Sequence, residues 1–421
     1  MAEIQSKFGV VNNADVQLIV ERYLDAKYFT ISDFFVKALG ENTSGFISDH
    51  AILSVNVNIN GLDEVYTFFL KISSEELTVH AQYIEDIGAF KKETQLFNGL
   101  IPLLQKCSSK QWSPKCLYSR KDLLVFENLS QLGFFNCEHK KKTILDLEHC
   151  LEAAKALARL HSASIILESK PVFSAKPYNI YKEFGDILKE NTYVSDVKSP
   201  RKKWLDVSIR ATLALMRLIP ELKTPEKLAK INEQLPKIFL DLPNVVKASS
   251  KFRNVMGHGD IWANNMMFKY ENGKPIDCRL VDFQFSRYAP ASWDLMGMLH
   301  LTTTREFRDN YMQKVVDAYY NVVNEELRNH NLDVNILMPY DELLTANKYF
   351  SRPALVETII FDHTIILPDY LATHVVQSTG GYAGFVLGDR EAILYKAWNN
   401  DEHFREIMTD RLMELAEKYI L

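Results

Sequence analysis

Residues 266–282 constrain the fold more than any other stretch of this chain. Two β-prone runs, Met266 to Tyr270 and Asp277 to Asp282, flank Asn272-Gly273, with Pro275 just beyond. An Asn-Gly pair between such runs reads as a hairpin turn, because both residues tolerate the positive φ that a tight turn requires. Pairing across the turn carries Asn265 and Asp282 to the same edge of the hairpin. One amide oxygen and one carboxylate are then presented together, and hard oxygen ligands of this kind suit Mg²⁺ on a nucleotide. Asp260 precedes Asn265 by five residues, so a short loop brings a second carboxylate beside them. Phosphoryl transfer needs such a set: a metal to neutralise phosphate charge, and a carboxylate to orient an attacking hydroxyl and take its proton. Any one of these residues alone would read as an ordinary loop residue bonding its own turn. The ordered series His258-Gly259-Asp260, then Asn265, a hairpin and Val281-Asp282-Phe283 points to a site.

The rest of the chain divides by pattern. Phe34 to Ala38 and Ala51 to Ile59 are β-rich, and Asn60-Gly61 marks a second hairpin between Val55-Asn56-Val57 and Val65 to Phe69. Tyr83 to Leu100 carries Ile84, Ile87, Phe90 and Phe97 at helical spacing, with Pro102 just past its expected end. Lys115 to Tyr118 and Leu123 to Phe126 read as strands. After about Gly133 long helices take over: Leu145 to Ile166, Trp204 to Leu218 and Pro225 to Phe239. Apart from the short β segment Met266 to Phe283, the remainder is mainly helical. No flexible linker separates the two halves. The expectation is an α+β chain with a β-rich front containing one helix, a helical rear, and one cleft between them.

Composition sets the outer bounds. A chain of 421 residues, 47% hydrophobic and 24% charged, has ample material for such an interior. A net charge of −5 gives no reason to expect nucleic acid as a partner. The compact basic run Lys140-Lys141-Lys142 reads as a solvated loop. Five cysteines without a CxxC pair read as reduced thiols. The first ten residues lack an apolar leader, and no run approaches the roughly 20 apolar residues of a membrane span. These features predict a cytoplasmic protein.

His258-Gly259-Asp260-Ile261-Trp262-Ala263-Asn264-Asn265-Met266-Met267-Phe268, with Val281-Asp282-Phe283-Gln284 and Trp293-Asp294-Leu295 downstream, resembles the catalytic and metal-binding loops of protein-kinase-like phosphotransferases. The likeness is to the small-molecule branch that holds choline kinases and aminoglycoside phosphotransferases. Within it, the pattern is similar to the ecdysteroid kinase-like (CHK kinase-like) family of arthropods, over roughly residues 30 to 350.

The resemblance implies a protein-kinase-like two-lobed fold, with residues 1–130 as a nucleotide-binding lobe. Residues 131–421 would carry the catalytic loop (258–268), the metal segment (280–284) and the acceptor site. It implies ATP as co-substrate with Mg²⁺, Asp260 as the catalytic residue, and Asn265 and Asp282 as metal ligands. Lys71, ending a strand, would reach the α- and β-phosphates and pair with Glu93 on the following helix. Lys91 and Lys92 beside Glu93 leave a plain helix-surface reading open. Leu124 to Leu129 resembles the hinge between lobes, where backbone groups of Glu127 and Leu129 would bind adenine. The turn Gly40 to Gly45, with Ser44 and Gly45, would hold phosphates through backbone N–H groups. His258 would shape the loop, while His161 and Asp294 would pair beneath it. Two positions depart from protein kinases: Trp262 replaces a lysine, and Gln284 a glycine. The cation on the γ-phosphate is thereby left open, with Arg287 a candidate.

The short path from Asp282 to Asp294 leaves little chain for a peptide platform, so the expected acceptor is a small hydroxyl compound. Resemblance points to an ecdysteroid or another lipophilic alcohol. Such an acceptor calls for an apolar cleft of about 300–1,000 Å³. Tyr311, Tyr319, Tyr320, Tyr349, Phe350 and Phe361 could line it, or could simply fill the helical core. A choline- or ethanolamine-type kinase and a nucleotide-binding pseudokinase are the alternatives.

Overall fold

A computed structural model describes residues 10–39, 48–73, 88–137, 144–377 and 381–421. The front is one helix, α1 (Asn13–Leu24), and a five-stranded antiparallel sheet: β1 (Thr30–Ala38), β2 (Ser48–Ile59), β3 (Leu62–Ser73), β4 (Cys116–Arg120) and β5 (Leu123–Glu127), in the order β1-β2-β3-β5-β4. Ile59 pairs with Leu62, so Asn60-Gly61 is a two-residue turn, with φ of 54° and 85°. Between β3 and β4 lie α2 (Ala89–Asn98) and α3 (Leu100–Lys106). Of the helix expected over Tyr83 to Leu100, α2 covers Ala89–Asn98, and residues 83–87 fall outside the described ones. Pro102 does not end it. That proline sits in the first turn of α3, where few backbone N–H groups have a helical partner to lose.

The period-two alternation of β5 explains how the front joins the rear. Leu123 and Val125 face α1, packing with Val16, Ile19, Val20, Leu53 and Phe68. Leu124 and Phe126 face the other way, into a core shared with α2 and the helical rear. A strand buried on both faces reads as a continuous apolar run, as Leu-Leu-Val-Phe does.

The rear consists of α4 (Leu147–Ser169), α5 (Pro200–Met216), α6 (Pro225–Leu240), α7 (Ala291–Thr302), α8 (Arg305–Asn329), α9 (Tyr340–Ile365), α10 (Asp369–Gln377), α11 (Gly381–Leu387), α12 (Glu391–Asn400) and α13 (Glu402–Tyr419), with shorter turns between. Ser199 and Thr224 cap α5 and α6, each just ahead of a proline at the first helical position. α4 is buried along most of its length by an alanine-rich face, and α7 is buried all round. Among the described residues no helix is long and apolar enough to cross a membrane, and no two cysteines are joined in a disulfide. The Lys140-Lys141-Lys142 run lies outside the described residues.

Two small sheets carry the segment that holds Asp260, Asn265 and Asp282. β8 (Met266–Glu271) and β9 (Lys274–Leu280) form the expected hairpin, with Asn272 and Gly273 at positive φ, and β6 (Phe134–Asn136) extends it. β7 (Asn254–Gly257) pairs with β10 (Arg287–Pro290), a ladder that sequence pattern did not reveal. Each of these strands has four residues, too few for alternation to register. The resulting molecule is α+β, with an antiparallel sheet in front and helices behind.

Candidate active site

The β7–β10 ladder clamps both ends of the functional segment. Residues 258–265 leave β7, the hairpin runs out and back, and residues 281–286 return to β10. Met266 pairs with Leu280 and Val281 N–H donates to Asn265 O at 3.0 Å, so Asn265 and Asp282 stand at one edge of the hairpin.

Gly259 is required where it stands. Its φ is 81°, and a Cβ there would lie 2.1 Å from Phe285 O. Gly257 is required for space: a Cβ would meet Asp294 Oδ2 at 2.8 Å. That close approach lets Asp294 accept from the His258 and Gly259 N–H groups. His161 Nε2 lies 3.3 Å from Asp294 Oδ2, and its Nδ1 lies 2.8 Å from the Tyr319 hydroxyl. An ionised carboxylate only accepts, so Nε2 is the donating nitrogen. Burial pushes Asp294 up, but His161 and His258 outweigh it and hold the carboxyl below its ordinary value. His258 bonds Val281 O through Nε2 (2.9 Å), and its Nδ1 accepts the Asp260 N–H (3.3 Å). Burial lowers its pKa, so it is a neutral, loop-shaping imidazole.

Asp260 is half-buried. Asn265 Nδ2 donates at 2.9 Å to both its backbone oxygen and its Oδ2. Burial, then the charges of Asp282 and Glu357, push the Asp260 carboxyl up to about 8, against the opposing Asn265 bond.

Lys71 stands on β3 between His50 and Leu124. Its Nζ lies 2.6 Å from Glu93 Oε2 and 2.8 Å from Asp282 Oδ1. Glu93 Oε1 accepts the Phe283 N–H at 3.1 Å. Burial opposes the Lys71 charge and also pushes Glu93 upward, but Asp282 and Glu93 together raise the Lys71 pKa. With a carboxylate oxygen on each side, Lys71 is held in its charged form. Asp282 is strained into φ 69° and keeps 28% of its side chain exposed, the open edge of this cluster. Phe283 anchors the segment from behind, packed on Phe97, Trp112 and His258 at ring separations of 4.5–5.7 Å. Burying such a ring contributes about 1.5–3 kcal/mol.

A divalent metal fits this donor set. Lys71 engages one oxygen of Asp282, and Asn265 spends its amide nitrogen on Asp260, which leaves its amide oxygen as a ligand. No group of three or more His, Cys, Asp or Glu converges among the described residues. Two protein oxygens with the remaining positions open suit Mg²⁺, which completes its shell with phosphate and water.

Glu127 ends β5 opposite Phe68. Its Oε1 accepts the Lys115 N–H (2.9 Å), and its own N–H donates to Lys115 O (3.1 Å). Leu129 O accepts from the Leu132 and Phe134 N–H groups in the following turn. Ser44 and Gly45 lie outside the described residues.

Several expectations about the acceptor side are revised. Arg287 does not face the metal edge. It is 2% exposed and braces the loop from behind, donating to Gly259 O at 3.3 Å and pairing with Glu190 at 3.1 Å. The cavity beside Asp260 has about 10 Å³, room for one water-sized group, not a ring system. Trp293, Leu301, Phe361, Asp294 and Glu357 help to line it. Of the six aromatics that could line it or fill the helical core, Phe361 is the one at this cavity. Tyr311 and Tyr349 are surface residues, Tyr319 bonds His161, Tyr320 stacks on Tyr340, and Phe350 is core. A larger cavity, about 360 Å³, lies far off between α6 and α9, walled mainly by polar side chains. Glu357 carried no sequence signal. Tyr193 donates to it at 2.8 Å, and burial pushes it up to about 7. Lys92, beside Glu93, is buried as well.

Against known proteins, the model of the ecdysteroid kinase-like family matches residues 44–332. No curated protein matches the chain. Among solved structures, a GDP and kanamycin complex of APH(2")-IIia is 14% identical, with 97% of this chain and 98% of that one covered and a TM-score of 0.37. A GDP complex of wild-type aminoglycoside 2'-phosphotransferase-IIIa is also 14% identical, with 96% and 97% covered and a TM-score of 0.36.

Proposed function

The chain belongs to the ecdysteroid kinase-like family, and on that premise we propose that it is an ATP- and Mg²⁺-dependent enzyme that phosphorylates a hydroxyl of a small molecule. One observation carries the reading: Lys71, Glu93 and Asp282 converge in a single ion-paired cluster, while Asn265 ties the Asp282 edge to Asp260. In this reading residues up to about 130 form the nucleotide lobe, with adenine on the Glu127–Leu129 backbone. The enzyme acts in the cytoplasm.

Lys71, held by Glu93, donates to the α- and β-phosphate oxygens. Asp282 and the Asn265 amide oxygen hold Mg²⁺. The metal, when bound, neutralises charge on the phosphates. Asp260 orients the acceptor hydroxyl and takes its proton, while the acceptor oxygen bonds the γ-phosphorus and the bond to the ADP oxygen breaks. A base held near 8 suits this work poorly at neutral pH. Part of that rise comes from Asp282, however, and a cation on Asp282 removes that part.

Family likeness favours a lipophilic alcohol as acceptor, an ecdysteroid first. A second reading rests on side-chain chemistry rather than on room: Trp293 and Phe361, with Glu357 beside them, are the aromatic faces and carboxylate that suit a cationic alcohol such as choline or ethanolamine. Purified protein incubated with Mg-ATP and, separately, ecdysone, choline and ethanolamine tests both by mass spectrometry. A steroid phosphate supports the first reading. Phosphocholine or phosphoethanolamine alone moves the assignment to the second reading. No product from any of them, with Mg-ATP bound, points to a nucleotide-binding pseudokinase.

A further inference from the structure

Adjacent helix positions point about 100° apart, so Glu93 and Lys92 leave α2 in different directions. Glu93 reaches the cleft. Lys92 turns towards the rear, where its Nζ donates to Lys189 O (2.9 Å), Ser286 O (3.2 Å) and Asn191 Oδ1 (3.4 Å). Its neighbour Lys91 is exposed, as a helix-surface lysine would be. Burying an ammonium is costly unless oxygen atoms surround it, and here three do.

The acceptors of Lys92 belong to the two segments that frame Asp260. Ser286 donates through its hydroxyl to His258 O at 3.3 Å, within the catalytic loop. Residues 189–193 form a strap whose Glu190 pairs with Arg287, the brace on Gly259 O, and whose Tyr193 bonds Glu357 at the cavity. We propose that Lys92 is a positioning residue: from the helix that carries Glu93 it clamps the 189–193 strap and Ser286, so that the nucleotide-side ion pair and the acceptor-side wall move as one. The proposal rests on the phosphotransferase reading and adds a coupling between its two halves.

Charged groups face Lys92 from three elements: Glu190 on the strap, Arg287 on β10 and Arg201 on α5. Burial and the two arginines lower its pKa to about 8, against the pull of Glu190, so the clamp is fully charged only below that pH.

Hydrogen exchange with the non-hydrolysable Mg-AMPPNP tests the clamp without needing the acceptor. In the wild type, nucleotide should slow exchange over residues 89–98 and also over 187–193. In Lys92→Met the strap should lose its protection by about fivefold or more, the lower end of usual coupling, while helix 89–98 keeps its own. Turnover should fall by up to about 100-fold with the ATP KM nearly unchanged, a split that general destabilisation would not produce. Lys92→Arg should restore part of both. If Lys92→Met does not fold, Asn191→Ala removes one acceptor and should give the same change in smaller measure. Equal strap protection in wild type and variant overturns the clamp alone. Absence of protection anywhere in the wild type takes down the nucleotide site, and the clamp with it.

Discussion

Two of the clusters of buried charge among the described residues can be set side by side, one between front and rear and one deep in the rear. In the first, Lys71 sits between Glu93 and Asp282. In the second, Arg308 pairs with Glu414 and Arg411 with Asp362, and both arginines donate to Thr303 O at 2.6–2.7 Å. Both clusters are hydrogen-bonded and paired, and both contain carboxyls that burial pushes upward. What separates them is access and strain. The rear side chains are no more than 3% exposed and sit on ordinary helices. The front cluster opens to solvent at Asp282, on a backbone held at positive φ, beside Asp260 and an amide oxygen. Buried charge alone therefore does not mark a site; an open, strained edge does.

The comparison breaks most sharply at Asp260. Asp260→Asn should cut kcat by about 10²–10⁴-fold, the usual cost of a lost general base, and leave Mg-ATP affinity nearly unchanged. Steady-state kinetics with calorimetric titration checks it, and near-normal turnover in the folded variant would reject the assignment of the base.

Arg411→Met should do the reverse. Removing one partner of a buried pair leaves Asp362 uncompensated, at a cost of about 3–5 kcal/mol, while turnover per folded molecule stays near wild type. Asp362 is raised to about 6 mainly by burial, even with Arg411 beside it. Unpaired, it accepts a proton more readily still, so the loss measured by urea denaturation should be smaller at pH 5 than at pH 8. A stable variant, or one that folds but does not turn over, would erase the distinction between the two clusters.

The smallest effect concerns the site's own cost. Asp260 has a folded pKa raised above its unfolded value, so its stability contribution is fully present below about 4 and is lost as pH rises through about 8. Asn cannot ionise. Ligand-free Asp260→Asn should therefore melt roughly 1–3 °C above wild type at pH 9, with the gap closing towards pH 4. A constant difference across that range would contradict it.

Much of the site was legible because its signals are local. The Asn272-Gly273 turn fixes which ends of β8 and β9 meet, so the adjacency of Asn265 and Asp282 follows from some twenty residues of sequence. Gly259 lies in the same stretch, but that glycine is needed there became visible only where Phe285 O closes on it. The order of a strand carrying Lys71 and a helix carrying Glu93 made the pair readable, although β3 runs on to Ser73 and the 2.6 Å approach is a tertiary fact.

Other features could not be read at all. Lys91 and Lys92 are identical side chains one position apart. Only the arrival of Ser286, 194 residues away in sequence, makes one of them buried and leaves the other on the surface. Arg287 is turned inward by Glu190, and Glu357 becomes a cavity wall because α9 packs on α7. No local pattern encodes either event. Turn chemistry and strand alternation act over a few residues and so are written in the sequence. Burial, charge pairing and cavity volume depend on which distant surfaces meet, and only the packed chain decides them.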